Sequence, residues 1–166
     1  MAQAKERNTV GIWLASPSNP TGTALRRDEL AQIGQWAELN ELHVLVDEIY
    51  HGLQYVADIP SILEVYDDAF VVSSFSKYFG MTGWRLGWSV WPKNLYEHVN
   101  KLCVNDHSCP NAISQHAGIE ALRACLSFIS LLLLELEFDA AEGEGLLAVP
   151  YAGPVAEYVA PGVVAA

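Results

Sequence analysis

Three short apolar runs, each followed at once by polar or turn-forming residues, constrain the fold of this chain more than any other feature. The runs are Val10 to Ala15, His43 to Val46 and Ala69 to Val72. Between the first two, Arg26 to Asn40 carries apolar side chains at helical spacing, with acidic residues in its first turn. A strand, a helix and a second strand in this order predict a βαβ unit, and hence a parallel sheet with helices packed on it.

Further elements extend this α/β pattern along the chain. A fourth strand is predicted from Arg85 to Trp91, and helices are predicted from Asn94 to Val104 and from Asn111 to Ala124. The chain has 166 residues, of which 51% are hydrophobic, and this is enough for one ordinary domain with its own core. Five tryptophans are expected to pack in that core: Trp13, Trp36, Trp84, Trp88 and Trp91.

Charge and cysteine content exclude several kinds of partner. The formal net charge is −11 and the nine Lys and Arg residues form no basic cluster, so no nucleic-acid partner is expected. The most apolar run, Leu126 to Leu134, is far shorter than the roughly 20 residues of a membrane span, so no membrane partner is expected. Three cysteines without CxxC spacing predict reduced thiols and a cytoplasmic location. The five histidines lack metal-ligand spacing, and no metal site is expected.

The polar residues that follow the three runs are the candidate functional groups, because open α/β sheets bind ligands beyond the carboxyl ends of their strands. They lie in Ser16 to Gly22, Asp47 to His51 and Ser73 to Gly83. Each group alone has an ordinary explanation as a turn, a helix cap or a solvated lysine. Their occurrence together, in this order, is what indicates a site.

Four stretches together resemble the class I/II aminotransferases, which are fold-type-I enzymes dependent on pyridoxal 5'-phosphate (PLP). The matching stretches are SNPTG at 18–22, VDEIY at 46–50, SSFSK at 73–77 and GMTGWRLG at 80–87. The resemblance covers residues 9–124 and implies a partial PLP-binding large domain, α/β, with a mostly parallel sheet flanked by helices. Residues 125–166 contain six acidic side chains and no Lys or Arg, and they form an unassigned tail without family resemblance.

The resemblance implies roles for the residues around the cofactor ring. Lys77 is the amine that condenses with the PLP aldehyde and later acts as general base and acid. Asp47 lies against the ring nitrogen, where its negative charge keeps that nitrogen protonated. Tyr50 and Asn19 donate hydrogen bonds to the phenolic oxygen of the ring. The expected catalytic residues are therefore Lys77, Asp47 and Tyr50.

The same resemblance implies that hydroxyl groups and one guanidinium bind the phosphate, as their charge and donors allow. These groups belong to Ser74, Ser76 and Arg85. The complete set of expected cofactor-binding residues is Asn19, Asp47, Tyr50, Ser74, Ser76, Lys77 and Arg85.

The implied activity is amino-group transfer between an amino acid and a 2-oxo acid, carried out by a homodimeric enzyme of which this chain is the central part. Complete members of the family are much longer. Their first phosphate-binding turn, the aromatic residue that stacks on the ring and the arginine that grips the substrate carboxylate have no counterpart here. Two alternatives stay open: a truncated module that binds PLP without catalysis, and a fragment of a fold-type-I lyase, since such enzymes share the cofactor-holding residues.

Overall fold

The structure, a computed structural model, describes residues 2–55, 59–106, 108–124 and 163–165. Its strands and helices are β1 (Gly11–Ala15), α1 (Arg27–Leu39), β2 (His43–Asp47), β3 (Ala69–Ser74), β4 (Gly87–Val90), α2 (Tyr96–Asp106), α3 (residues 112–124) and β5 (Val163–Ala165). Short 3-10 helices occur at Ala2–Ala4, Ile62–Glu64 and Thr82–Trp84. The α/β fold predicted from the sequence is confirmed, and the predicted strands and helices are present with ends that shift by at most two residues.

A five-stranded sheet in the order β1-β2-β3-β4-β5 organises the chain. β1, β2 and β3 run parallel, so their last residues lie side by side: Ala15 pairs with Asp47, and Asp47 pairs with Val72. β4 is antiparallel to β3, and its first residue, Gly87, pairs with Ser74. The loops after β1, β2 and β3 and the loop before β4 therefore meet at one end of the sheet, called here the carboxyl end.

The start of β4 differs from the sequence prediction. Arg85 has a φ of 51° and lies in the left-handed region at the end of a 3-10 helix. An extended strand needs a negative φ, so the chain cannot be pleated at this position. The predicted strand from Arg85 to Trp91 is therefore wrong at its start, and Arg85 belongs to the loop at the carboxyl end.

The main core forms where α1 packs on one face of the sheet. Leu30, Ile33 and Ala37 recur along α1 at spacings of three and four residues, and all three are buried. The Glu29 side chain accepts a hydrogen bond from the backbone N–H of Arg26 at 2.9 Å, which satisfies a donor at the helix start. The buried residues of this cluster are Leu30, Ile33, Ala37, Leu42, Val44, Val46, Ile62, Ala69 and Val71. Full burial of each large aliphatic side chain contributes roughly 1.5–3 kcal/mol to stability.

A second, smaller cluster supports the loop between β3 and β4. Its buried members are Phe75, Met81 and Leu86. Helix α3 packs against them through Ala117, Ala121 and Leu122. A Cβ atom at Gly118 would lie 2.6 Å from Leu86 Cδ2, so glycine is what allows α3 to approach this closely. The loop therefore has an apolar base of its own.

The tryptophans divide between the core and the surface. Trp36 packs against the main cluster, Trp88 packs against the second cluster, and Trp91 stacks edge-on against Phe70 with ring centroids 5.1 Å apart. Trp13 is 76% exposed and Trp84 is 45% exposed, so the expectation of core packing is wrong for these two. Trp13 alternates along β1 with Ile12 and Leu14, which face the main core, and so its own side chain lies on the opposite face of the sheet.

Part of the tail joins the sheet. Within residues 125–166 the structure describes Val163–Ala165, which pair antiparallel with Trp88 to Val90 of β4. The apolar run Leu126 to Leu134 and the acidic residues of the tail lie outside the described residues, and the domain boundary after residue 124 stays a prediction. Among the helices that the structure describes, none is long and apolar enough to cross a membrane.

Candidate active site

Backbone hydrogen bonds carry the sheet ladder past the ends of the strands and tie the candidate loops together. Ser16 N–H donates to the carbonyl of Asp47 at 3.0 Å, and Glu48 N–H donates to the carbonyl of Val72 at 2.9 Å. Each loop therefore starts from a fixed position relative to its neighbour. The loops that carry the candidate polar groups therefore start side by side at the carboxyl end of the sheet.

The loop after β1 presents Asn19 at an exposed tip. Ser18 N–H donates to the Thr23 carbonyl at 2.8 Å, and Gly22 N–H donates to the Ser18 carbonyl at 2.7 Å. Gly22 has a φ of 70°, a conformation that glycine adopts without steric cost and that closes this turn. Within the part of the chain that the structure describes, the Asn19 amide has no hydrogen-bond partner, so its donors are available to a ligand.

The turn after β2 holds Asp47 and Tyr50. Asp47 is half-buried, and its Oδ1 accepts a hydrogen bond from Ile49 N–H at 3.0 Å, which fixes the carboxylate at the strand end. Its Oδ2 has no hydrogen-bond partner among the described residues. One carboxylate oxygen thus orients the side chain, and the other keeps its lone pairs for a cationic group.

Lys77 lies in a tight turn after β3. Gly80 N–H donates to the Lys77 carbonyl at 3.0 Å, and Gly80 has a φ of 64°. The Lys77 side chain is exposed, and its Nζ lies 5.6 Å from the centroid of the Tyr50 ring. This distance is within the range of a cation–π contact. The amine and the phenol, which are 27 positions apart in the sequence, therefore meet at the carboxyl end of the sheet.

Ser74 and Ser76 form one hydroxyl pair. Ser74 Oγ accepts a hydrogen bond from Ser76 N–H at 3.0 Å, and it lies 3.0 Å from the Leu86 carbonyl and 2.9 Å from Ser76 Oγ. A carbonyl only accepts, so the single proton of Ser74 is donated to Leu86, and Ser76 donates its own proton to Ser74. Ser76 can redirect that proton to an incoming anion, whereas Ser74 would have to give up its bond to Leu86.

Arg85 is connected to the serine pair through Thr82. Its Nη1 donates to the Thr82 carbonyl at 3.1 Å, and Thr82 Oγ1 donates to the Ser76 carbonyl at 2.9 Å. The remaining guanidinium N–H groups have no partner among the described residues. Arg85 is exposed and lines an open concavity together with Gly83, Trp84, Asn111, Ile113 and Ser114. The guanidinium therefore lies in the same loop as the serines, with most of its donors unused.

The predicted site residues all lie at the carboxyl end of the sheet, and two direct contacts join members of the set. Lys77 lies over Tyr50, and Ser74 bonds Ser76. Neither a hydrogen bond nor an ion pair links Lys77 to Asp47 or Asn19 in the part of the chain that the structure describes. An exposed amine, a carboxylate with one unpaired oxygen, a phenol, a hydroxyl and a guanidinium are the groups that a phosphorylated pyridine aldehyde requires, so the donor set fits PLP. The role of each residue toward that cofactor stays a prediction.

Glu48 is a buried acid that the sequence analysis did not single out. Its side chain points into the protein behind the candidate site, with 6% of the residue exposed. Its Oε1 accepts hydrogen bonds from Ser61 Oγ and from Ile62 N–H, both at 2.9 Å. Burial raises the pKa of Glu48 to about 7, although the bonds from Ile62 and Ser61 act in the opposite direction.

His51 stands next to this acid. Its Nε2 lies 2.9 Å from the carbonyl oxygen of Ser16, and its Nδ1 lies 3.9 Å from Glu48 Oε2. Burial lowers the pKa of His51 below its ordinary value. The sequence contained one signal for the burial of Glu48. Consecutive residues of a strand point to opposite faces of the sheet, so Asp47 and Glu48 cannot both reach the ligand side. One of two adjacent acids had to enter the core and find partners there.

No group of His, Cys, Asp and Glu side chains among the described residues is arranged to hold a metal ion. An α/β domain with a lysine, an aspartate, a tyrosine, two serines and an arginine at the carboxyl end of its sheet has the fold and the groups that the resemblance to fold-type-I enzymes implies. The chain belongs to the aminotransferase class I and II family, whose model matches residues 1–141.

Relatives and solved structures agree with this assignment. The chain is 42% identical to a valine–pyruvate aminotransferase of Mycobacterium tuberculosis, over 67% of this chain and 29% of that protein. It is 32% identical to an aspartate aminotransferase of Thermotoga maritima, over 73% of this chain and 33% of that protein. A crystal structure of an aminotransferase from M. tuberculosis matches with a TM-score of 0.68 at 40% identity, covering 72% of this chain and 33% of that chain. An aromatic aminotransferase from Pyrococcus horikoshii matches with a TM-score of 0.70 at 30% identity, covering 84% of this chain and 38% of that chain. The chain thus spans about a third of the length of the curated relatives it matches.

Proposed function

We propose that this chain binds PLP through Lys77 and supplies the cofactor-holding part of an aminotransferase that moves an amino group between an amino acid and a 2-oxo acid. The observation that carries the proposal is the position of Lys77 Nζ, 5.6 Å from the Tyr50 ring centroid, at the sheet end that also holds Asp47. A cytoplasmic location and a homodimeric complete enzyme are part of the same proposal. Cys103 and Cys109, the cysteines that the structure describes, are free thiols, which is compatible with that location.

Each side chain has a task that follows from its chemistry. When bound, PLP supplies an electron sink for negative charge on the substrate carbon. Lys77 Nζ would be the amine that holds the cofactor, and as a free amine it would carry a proton as general base and then as general acid. Asp47 Oδ2 would accept a hydrogen bond from the protonated ring nitrogen and stabilise its positive charge.

The remaining donors fix the orientation of the ring and the phosphate. The Tyr50 hydroxyl and the Asn19 amide donate to the phenolic oxygen. Ser76 turns its proton toward the phosphate, and Arg85 adds a charge-assisted hydrogen bond from its unused N–H groups. Ser74 supports Ser76 in the structure and reaches the phosphate after releasing Leu86.

Borohydride reduction tests this proposal. The full chain is incubated with PLP and reduced, and the labelled lysine is found by peptide mass mapping. We expect the label on Lys77, its loss in Lys77→Ala, and its retention in the control Lys101→Ala, in which an exposed lysine of α2 is removed. Label spread evenly over Lys5, Lys77, Lys93 and Lys101 would contradict the proposal.

A second candidate function is PLP binding without catalysis. It is favoured by the fact that the chain spans about a third of the length of its relatives. An amino-acid half-reaction separates the two candidates, because only a catalytic chain converts the bound cofactor when an amino acid is added. A lyase remains compatible with the same cofactor-holding residues.

A further inference from the structure

The aromatic ring of Tyr78 lies directly against the backbone of Gly52. Tyr78 follows Lys77 in the turn after β3, and Gly52 lies two residues after Tyr50 in the turn after β2. A Cβ atom at Gly52 would lie 2.5 Å from Cδ2 and 2.8 Å from Cε2 of the Tyr78 ring. Carbon atoms in contact ordinarily lie about 3.5–4.0 Å apart, so a side chain here would require a movement of roughly 1 Å. The turns that carry Lys77 and Tyr50 therefore touch through two residues that are not assigned to the cofactor.

The backbone of Gly52 also requires glycine. Its φ of 90° lies in a region that other residues rarely adopt. Its N–H donates to Gln54 Oε1 at 2.7 Å, and the N–H of Leu53 donates to the Tyr50 carbonyl at 3.2 Å. These two hydrogen bonds fix the turn around the glycine, so the surface on which the Tyr78 ring rests is held in place.

Further contacts of the Tyr78 ring lead to the second core cluster. Tyr78 stacks edge-on against Phe79, with ring centroids 5.0 Å apart, and Phe79 packs against Phe75 at 4.8 Å. Phe75 is a buried member of the second cluster. Three adjoining rings thus connect that cluster to Gly52, and a displacement of the Tyr78 ring would disturb packing that reaches the core.

The Lys77 amine has few contacts of its own to hold it in place. In the part of the chain that the structure describes, neither a hydrogen bond nor an ion pair holds Lys77 Nζ, and its cation–π contact with the Tyr50 ring is a weak one at an exposed site. An exposed lysine side chain otherwise moves among many rotamers. The backbone position of Lys77 therefore decides whether the amine reaches Tyr50, and the neighbouring ring of Tyr78 anchors that backbone.

We infer that Gly52 and Tyr78 are positioning residues, and that their contact holds the Lys77 turn at the distance at which the amine reaches Tyr50. This contact is a property of the unliganded chain. Its consequence for PLP rests on the proposed function, in which Lys77 holds the cofactor and Tyr50 donates a hydrogen bond to it. Misplacement of a reacting group by about 1 Å can slow a reaction about a hundredfold, so a shifted Lys77 turn should slow attachment of the cofactor.

The position of Lys77 is tested first on the unliganded full chain. Lysine labelled with ¹³C at Cε gives one methylene signal per lysine in ¹H–¹³C spectra, and the Lys77 signal is identified by its loss in Lys77→Ala. The face of the Tyr50 ring should displace this signal upfield, and Tyr50→Leu gives its value without the ring. We expect Gly52→Ala and Tyr78→Ala to move the signal toward that value. Tyr78→Phe keeps the ring carbons that touch Gly52 and should leave the signal in place.

A matched control separates positioning from a general loss of packing. Gly34 of α1 lies against the ring of Tyr66 at the main core, where a Cβ atom would lie 2.7 Å from Tyr66 Cγ. Gly34→Ala introduces the same kind of steric conflict, and it should lower the free energy of unfolding without moving the Lys77 signal. A displacement in Gly34→Ala as large as that in Gly52→Ala would overturn the inference. An unchanged Lys77 signal in Tyr78→Ala would also overturn it, even if Gly52→Ala does not fold.

The consequence for the cofactor is measured as the rate at which PLP attaches to Lys77, followed by absorbance. We expect this rate to fall about tenfold or more in Gly52→Ala and in Tyr78→Ala, and to stay unchanged in Tyr78→Phe and Gly34→Ala. The double variant Gly52→Ala, Tyr78→Ala should be no slower than Tyr78→Ala, because the added methyl group no longer meets a ring. Losses that multiply in the double variant would show that Gly52→Ala acts through backbone strain, and they would refute the role of its contact with Tyr78.

The inference and the proposed function fail in different ways. Absence of the borohydride label from Lys77 in the unmodified chain would refute the proposed function, and the methylene signals would still decide whether Tyr78 positions the amine. Normal labelling of Lys77, with the same rate of attachment in all variants, would refute the link between Tyr78 and the cofactor.

Discussion

Replacement of Glu48 by glutamine should make the chain more stable at alkaline pH, and the size of this gain in stability follows from the raised pKa of the buried carboxyl. The pKa of Glu48 is raised from 4.5 to about 7. A raised pKa means that the folded state binds the proton more tightly than the unfolded state does. The stability from this proton is therefore fully present below pH 4.5 and is lost as the pH rises through about 7. Each unit of pKa corresponds to about 1.4 kcal/mol, so the total loss is about 3 kcal/mol.

Glutamine has no proton to lose, so the variant should escape this loss. Urea unfolding of the full chain, followed by tryptophan fluorescence, gives the free energy of unfolding at pH 5 and at pH 8. We expect the free energy of unfolding of Glu48→Gln, relative to that of the unmodified chain, to be about 2 kcal/mol higher at pH 8 than at pH 5. The control Glu97→Gln, at an exposed acid of α2, should show no such shift. A difference that is the same at both pH values would refute the assignment of the proton to Glu48.

Two further predictions concern the candidate site. Arg85→Gln should raise the dissociation constant for PLP about tenfold or more in equilibrium titrations, because a charge-assisted hydrogen bond contributes about 1.5–3 kcal/mol; Arg7→Gln, at an exposed arginine near the amino terminus, should not. The chain alone should show no more transamination than a Lys77→Ala control in a coupled assay with an amino acid panel and 2-oxoglutarate or pyruvate. It spans about a third of its relatives' length, and orientation of a bound substrate can lower the activation barrier by about 7–11 kcal/mol. Clear turnover above that control would mean that the missing parts are dispensable.

β1, β2 and β3 were predictable because their apolar runs are short and bounded by turn residues. β2 and β3 extend the predicted runs by one and two residues, to Asp47 and Ser74, since backbone pairing continues after the apolar side chains end. The start of β4 was not predictable from apolar content, because the left-handed backbone of Arg85 depends on the 3-10 helix before it. Local composition does not report such a conformation.

The residues of the candidate site could be predicted from the sequence better than the contacts that they make. Family resemblance supplied Lys77 and Tyr50, and the sheet topology explains why they meet at one end. The bond from Ser61 to Glu48 could not be predicted, because it joins residues 13 positions apart through a connection whose described residues form no helix or strand. The contact depends on where that connection runs in space, and sequence periodicity carries no information on such a path.

The loop of residues 75–86 leaves the sheet and re-enters it at two residues that pair with each other on neighbouring strands. Ser74 pairs with Gly87, and Phe75 N–H donates to the Leu86 carbonyl at 3.1 Å, so the two ends of the loop are fastened to each other. Because the two ends of the loop are hydrogen-bonded to each other, they cannot move apart to accommodate an inserted or deleted residue. An insertion or deletion would instead change the spacing between Lys77 and Arg85, the proposed attachment amine and the proposed phosphate-binding cation. Length variation should therefore be rejected here, even where individual side-chain substitutions in the same loop are accepted.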